Sequence, residues 1–275
     1  MNFEGKHLLA IRDLTKEELL KIIEVAGEID KDMDKYKSIL DGKIVSTLFF
    51  EASTRTRMSF QAAMQRMGGS VIGFSEVSTT SMKKGETLSD TMKIVSGYCD
   101  VIVMRHPEEG SVAKAAKDST VPVINAGDGA NEHPTQTILD LYTIHKEKGI
   151  LENLKIGFIG DLKNSRTVHS LAKAMSHFSP EFYFISHPSL RIPESYRKEF
   201  EAKGIKCNEV EDLYGVSMGL DLLYVTRIQK ERFLDPKEYE SIEKAYRLGP
   251  ELANHIKPDA KILSPLPRID EMDPE

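Results

Sequence analysis

The feature that most narrows what this chain can fold into is an alternation. Short runs rich in β-branched and aromatic residues recur at 44–50, 71–74, 101–106 and 121–125, and helix-sized segments lie between them. A second series starts at 154–161, with strands at 181–187, 205–210, 221–226 and 260–264 and helices at 167–178 and 194–203. Antiparallel neighbours can be joined by a two-residue turn, whereas connections of helix length imply parallel strands with crossover helices. The expected class is therefore α/β: two doubly wound parallel-sheet domains joined by a bridging helix, with the active site in the interdomain cleft.

The 275 residues fit two domains at roughly 150 residues each. The first domain is expected over residues 1–133, the bridging helix over 134–149 and the second domain over 150–275. Thr15 and Glu18 form a capping-box signature, and Leu19, Ile22, Ile23, Ala26 and Ile29 then recur at helical spacing. Pro134 sits at a first helical position, followed by Ile138, Leu139, Leu141, Tyr142 and Ile144.

The apolar runs are strand-sized, far short of the roughly 20 residues of a membrane helix, and the N-terminus lacks the layout of a signal peptide. Cys99 and Cys207 are far apart and read as small buried hydrophobes rather than a disulfide or metal ligands. A cytoplasmic protein without metal or cofactor is expected. The net charge of −6 argues against a nucleic-acid partner but not against an anionic small molecule.

In open parallel sheets, ligands bind beyond the carboxyl ends of the strands. After the first strand comes Glu51-Ala52-Ser53-Thr54-Arg55-Thr56-Arg57 at a strand-to-helix turn. Helix N-termini carry unpaired N–H groups, and three hydroxyls with two guanidiniums added there suit phosphate. A lone S-T-x-T would suit an ordinary cap. Further strand ends carry Arg105-His106, Asn164-Ser165-Arg166, Arg227-Ile228-Gln229 and Pro265-Leu266-Pro267-Arg268. Five of six strand ends thus hold Arg, which suggests a substrate with several negative charges. His133 and Gln136 share a face at the start of a helix, where the dipole favours a neutral imidazole. Gly157-Phe158-Ile159-Gly160-Asp161 invites a dinucleotide reading but lacks G-x-G-x-x-G, and is read as a structural turn.

Ser53-Thr54-Arg55-Thr56-Arg57 with Ser59-Phe60 resembles the carbamoyl-phosphate motif of the aspartate/ornithine carbamoyltransferase family, and the likeness runs from about Ile44 to Asp270. His133-Pro134-Thr135-Gln136, Ser165-Arg166-Thr167-Val168-His169-Ser170, Thr226-Arg227-Ile228-Gln229-Lys230-Glu231-Arg232 and Pro265-Leu266-Pro267-Arg268 favour the aspartate branch. The ornithine branch would carry H-P-C-Q and a late H-C-L-P. Val216-Ser217-Met218-Gly219 echoes its S-M-G loop but precedes a strand.

The resemblance implies that Ser53, Thr54, Arg55, Thr56 and Arg105 hold the phosphate of carbamoyl phosphate. Thr56, Arg105 and His133 would polarise the carbamoyl oxygen, and Gln136 with the carbonyls of Pro265 and Leu266 would hold its nitrogen. Arg166, Arg227 and Gln229, beside Leu266 and Pro267, would grip L-aspartate. Ser81 and Lys84 would reach into a neighbouring subunit's site and serve both substrates, making a homotrimer obligatory. Glu51 would bridge Arg166 and Arg232, and Leu266–Pro267 would be cis. A separate regulatory chain, giving a dodecamer of catalytic trimers and regulatory dimers, is compatible with the family. Ser264 stands where many relatives have His, and relatives continue past Glu275 into a helix that returns to the first domain. The competing readings are transfer to another amine such as ornithine, a non-catalytic trimeric phosphate-binding scaffold, and a nicotinamide-dependent dehydrogenase.

Overall fold

The computed structural model describes residues 2–230, 233, 235–269 and 271–273, and it divides into two compact units, Met1–Tyr142 and Thr143–Glu275. The first unit opens on α1 (Lys16–Lys31), whose capping box forms: Thr15 Oγ1 accepts from Glu18 N at 3.2 Å, and Glu18 accepts from Thr15 N at 2.9 Å. There follow β1 (Ile44–Phe49), α2 (Thr54–Arg66), β2 (Ser70–Phe74), α3 (Leu88–Ser96), β3 (Val101–His106), α4 (Ser111–Ala116) and β4 (Val123–Asp128), and α5 (Pro134–Lys148) runs across the boundary into the second unit.

The four strands run parallel in the order β2-β1-β3-β4. Leu48, Ile102, Met104 and Val123 pack with Met92 and Val112 on one face of the sheet. Val45, Phe49, Val103 and Ala126 pack with Met64 on the other. Burial on both faces is what near-continuous apolar strands require.

The second unit holds β5 (Lys155–Ile159), α6 (Arg166–Met175), β6 (Glu181–Ile185), α7 (Glu194–Ala202), β7 (Lys206–Val210), α8 (Tyr214–Ser217), β8 (Leu222–Val225), α9 (Pro236–Tyr246) and β9 (Lys261–Leu263). Its sheet is also parallel, in the order β7-β6-β5-β8-β9. Phe158, Phe182, Phe184, Phe200 and Tyr224 form a buried aromatic set, with ring centroids 5.2–6.4 Å apart in the contacting pairs. Offset and edge-on rings at such spacings contribute beyond their buried area.

Three expectations shift. The fourth strand covers 123–128 rather than 121–125, because the peptide of Asn125 is claimed by Leu8 (N to O, 2.8 Å) and the ladder continues to Asp128. The helix expected over 167–178 ends at Met175 and tightens into a 3-10 turn. Helices α4, α8 and α9 had no counterpart in the sequence reading. Gly157 lies within β5, and Gly160 makes the turn that follows it. A Cβ on Gly157 would lie 2.6 Å from Leu220 Cδ1, and one on Gly160, at φ +113°, would lie 2.0 Å from the carbonyl oxygen of Thr226. Among the described residues no helix is long and apolar enough to cross a membrane. Cys99 and Cys207 are unbridged and half-buried, and burial pushes the Cys207 thiol up to about 11.

Candidate active site

Strand order fixes where ligands can enter. In the first sheet β1 is followed outward by β2 on one side and by β3 on the other, so the connections part between β1 and β3. In the second sheet the same parting falls between β5 and β8. Loops leaving the carboxyl ends of such a pair diverge and leave a crevice. The anion-binding candidates of each unit sit on those loops: Ser53–Arg57 after β1, Arg105 at the end of β3, Ser165-Arg166 after β5 and Arg227-Ile228-Gln229 after β8.

In the first unit, the backbone joins the two loops directly, Phe50 N donating to Arg105 O at 2.9 Å. Ser53 is the N-cap of α2 in extended conformation, yet its side chain makes no capping hydrogen bond. Thr54 and Arg55 are exposed and Thr56 half-buried on the first turn. The helix start therefore keeps its N–H groups beside a hydroxyl and a guanidinium, as an anion site needs. Arg105, with its side chain 12 % exposed, donates from Nε to Glu51 Oε2 at 2.9 Å and from Nη1 to the Ala126 carbonyl at 3.3 Å. Two partners, Glu51 after β1 and Ala126 within β4, hold its fork in place. Glu51 thus pairs with Arg105. Arg232, named in the sequence reading as a partner of Glu51, lies outside the described residues. The neighbouring His106 is half-buried against Phe50, and desolvation holds its pKa below the usual histidine value.

The loop from β4 to α5 is organised by Asp128, a residue the sequence reading did not single out. Its buried carboxylate accepts from Gly110 N (2.8 Å), Asn125 Nδ2 (2.9 Å), Asn131 Nδ2 (3.0 Å) and Glu132 N (3.2 Å). That web delivers His133, 6 % exposed, to the start of α5. Its Nδ1 faces the Gln136 N–H and the Thr135 hydroxyl, both at 3.3 Å. A ring nitrogen that accepts leaves the hydrogen of a neutral imidazole on Nε2. Gln136 donates from Nε2 to Asp140 Oδ1 at 2.9 Å. Ser81 and Lys84 are exposed in a short 3-10 helix, Ser81–Lys84, between β2 and α3, capped by Gly85 at φ +99°. They stand on a different loop from the phosphate turn.

In the second unit, Ser165 caps α6 and its hydroxyl lies 3.1 Å from Thr226 Oγ1, tying the β5 and β8 loops together. Asp161 is fully buried and accepts from Asn164 N at 3.0 Å and from its side-chain amide. His169 holds the loop from within, 2.8 Å from the Leu162 carbonyl, and stacks on Tyr196 at 4.5 Å. Arg227 lines a cavity with Thr226, Ile228, Tyr239, Glu243 and Glu271. Arg166 and Gln229 are half-buried, and Leu266–Pro267, which follows β9, is cis. Pro265 is half-buried, and Leu266 and Pro267 are exposed.

Family models match both units. The aspartate/ornithine carbamoyltransferase carbamoyl-P binding domain matches residues 6–146, and the Asp/Orn binding domain of the same family matches 152–275. The chain belongs to the aspartate/ornithine carbamoyltransferase family. Among its relatives is the aspartate carbamoyltransferase catalytic subunit of Thermococcus kodakarensis, 50 % identical over 278 residues that span 100 % of this chain and 89 % of that one. The catalytic subunit of Methanocaldococcus jannaschii aspartate transcarbamoylase superposes with a TM-score of 0.91 at 47 % identity, over 98 % of this chain and 88 % of that one. The Trypanosoma cruzi enzyme in complex with N-(phosphonacetyl)-L-aspartic acid superposes with a TM-score of 0.92 at 35 % identity, over 99 % and 88 %. These family members share two parallel-sheet α/β domains with this chain.

Proposed function

We propose that this chain is an aspartate carbamoyltransferase, moving the carbamoyl group of carbamoyl phosphate to the amino group of L-aspartate in an early step of pyrimidine biosynthesis. The observation that carries the reading is the placement of phosphate-type and carboxylate-type ligands at the topological parting of each sheet: hydroxyls with Arg55 and Arg105 in one unit, Arg166, Arg227 and Gln229 in the other. Residues 1–133 and 150–275 then serve as the carbamoyl-phosphate and aspartate domains, with 134–149 as the bridging helix.

The residues divide the work by chemistry. Ser53, Thr54, Arg55 and Thr56 bind the phosphate with the N–H groups opening α2, and Arg105 adds a fork-shaped partner. His133 Nε2–H, Thr56 and Arg105 stabilise the charge that grows on the carbamoyl oxygen when the amine attacks. Gln136 and the carbonyls of Pro265 and Leu266 accept from the carbamoyl NH2, while Arg166, Arg227 and Gln229 orient aspartate beside Leu266 and Pro267. Phosphate leaves as the C–N bond forms. Positioning and electrostatics suffice for this chemistry, and the side chains here supply both. Ser81 and Lys84 act on a neighbouring protomer's site, so the working unit is a cytoplasmic homotrimer, alone or joined to a regulatory chain. Transfer to ornithine is the runner-up, disfavoured by Thr135 within His133-Pro134-Thr135-Gln136.

The test is formation of carbamoyl-aspartate from the two substrates, together with binding of phosphonacetyl-aspartate. Tight binding of that analogue and none of its ornithine counterpart is expected. Carbamoylation of ornithine in preference to aspartate would overturn the assignment.

A further inference from the structure

Asp140 lies one helical turn beyond Gln136 on α5, is 4 % exposed, and receives the Gln136 amide through Nε2 at 2.9 Å. The spacing alone is ordinary, since residues four apart on a helix are neighbours. The chemistry of the partner is what constrains. The Asp140 carboxyl oxygen is the acceptor here, so the NH2 end of the amide faces it. The carbonyl oxygen of Gln136 is thereby the end left to meet a substrate. Three residues earlier, His133 is fixed in the opposite sense, with Nδ1 accepting and the hydrogen on Nε2. The first turn of α5 therefore carries an acceptor of settled polarity at Gln136, and in the proposed reaction His133 supplies the donor. A carbamoyl group, with an oxygen beside an NH2, is the complement of that pair. An acetyl group matches the donor and offers the acceptor nothing.

We infer that Asp140 is a positioning residue that sets the polarity of the Gln136 amide, and through it makes the site select a carbamoyl over an acetyl group on the phosphate. The inference rests on the carbamoyl-transfer reading above. It extends that reading to a residue that need not touch substrate.

The experiment uses the full chain and two probes, carbamoyl phosphate as substrate and acetyl phosphate as competitive inhibitor. The readout is the ratio of their affinities, in the parent, in Asp140→Asn, and in the exchange variant Gln136→Glu with Asp140→Asn. An asparagine at 140 offers either an oxygen or an NH2, so the Gln136 amide is freed to turn over. Carbamoyl phosphate binding should weaken about tenfold, the value of one hydrogen bond, while acetyl phosphate inhibition stays within about twofold. In the exchange variant the carboxylate at 136 accepts from the asparagine and still presents an oxygen. The ratio should return to within about threefold of the parent. A residue that only packed α5 would change stability and both affinities together, leaving the ratio where it was. An unchanged ratio in Asp140→Asn overturns the inference, as does a parent that shows no preference for carbamoyl phosphate. If Asp140→Asn does not fold, a folded exchange variant decides: a parent-like ratio supports the inference and a collapsed one sinks it. A parent that prefers carbamoyl phosphate yet forms no carbamoyl-aspartate would refute the functional reading and leave this inference standing.

Discussion

His133 and Arg55 face different demands, and their loss should be told apart kinetically. In the proposed reaction His133, whose Nδ1 accepts from Gln136 N, meets an oxygen that gains charge only as the reaction proceeds. His133→Ala should lower kcat by about 10²–10³ while carbamoyl phosphate still binds, the usual effect of removing an oxyanion donor. Arg55 sits on the exposed first turn of α2, and the proposed phosphate binding uses its charge in the ground state as well. Arg55→Ala should therefore lose more in kcat/KM than His133→Ala; steady-state kinetics on the two variants checks this, and a full-rate Arg55→Ala enzyme would refute the phosphate assignment. At this scale the positions were legible: Ser53–Arg57 follow β1, Arg105 lies at the end of β3 and His133 immediately precedes α5, as their sequence neighbours imply. Asp128 escaped because nothing local distinguishes it. Four donors converge on its carboxylate only once Gly110, Asn125, Asn131 and Glu132 are brought together by β4 and the α4 loop. The pairing of Gln136 with Asp140 has a local signal, since a Gln and an Asp four apart on a helix are a known hydrogen-bonding pair.

Elements were legible in proportion to their caps and their periodicity. The Thr15 box, the apolar runs of β1 and β3, and Pro134 opening α5 each state a boundary locally. Helix α9 also carries a local start signal, Asp235 accepting from Lys237 N at 2.9 Å with proline next. Helix α4 begins from Gly110 in the left-handed region and runs only six residues, too short for a periodic pattern to register. The turn after β5 yields a test at this scale. Any side chain at Gly160 meets the Thr226 carbonyl and must hold φ at +113°. Gly160→Ala should cost about 2–4 kcal/mol, read as a lowered urea midpoint at unchanged slope. A midpoint within error of the parent would show that the β5 and β8 loops need no close approach.

At the scale of the whole molecule, each unit carries its own parallel sheet and its own buried core. The trimer proposed above lends Lys84 across a subunit boundary. Two disabled variants should then rescue each other. Arg105→Ala and Lys84→Ala trimers, dissociated together and reassembled, should regain activity in about a quarter of the sites, because random assembly in a closed ring pairs an intact Arg105 with a neighbour's intact Lys84 at that frequency. Activity in the mixture no higher than the mean of the two variants alone would show that each site is completed within one protomer.

The lone pair on His133 Nδ1 is turned toward a peptide N–H and a threonine hydroxyl. In the proposed reaction Nε2–H meets the carbamoyl oxygen while Nδ1 already accepts, so the imidazole is not the group that takes up a proton. The attacking amine must still shed one. Under the proposed reaction the dianion expelled from the same carbon is a base within reach, and the leaving group carries that proton away.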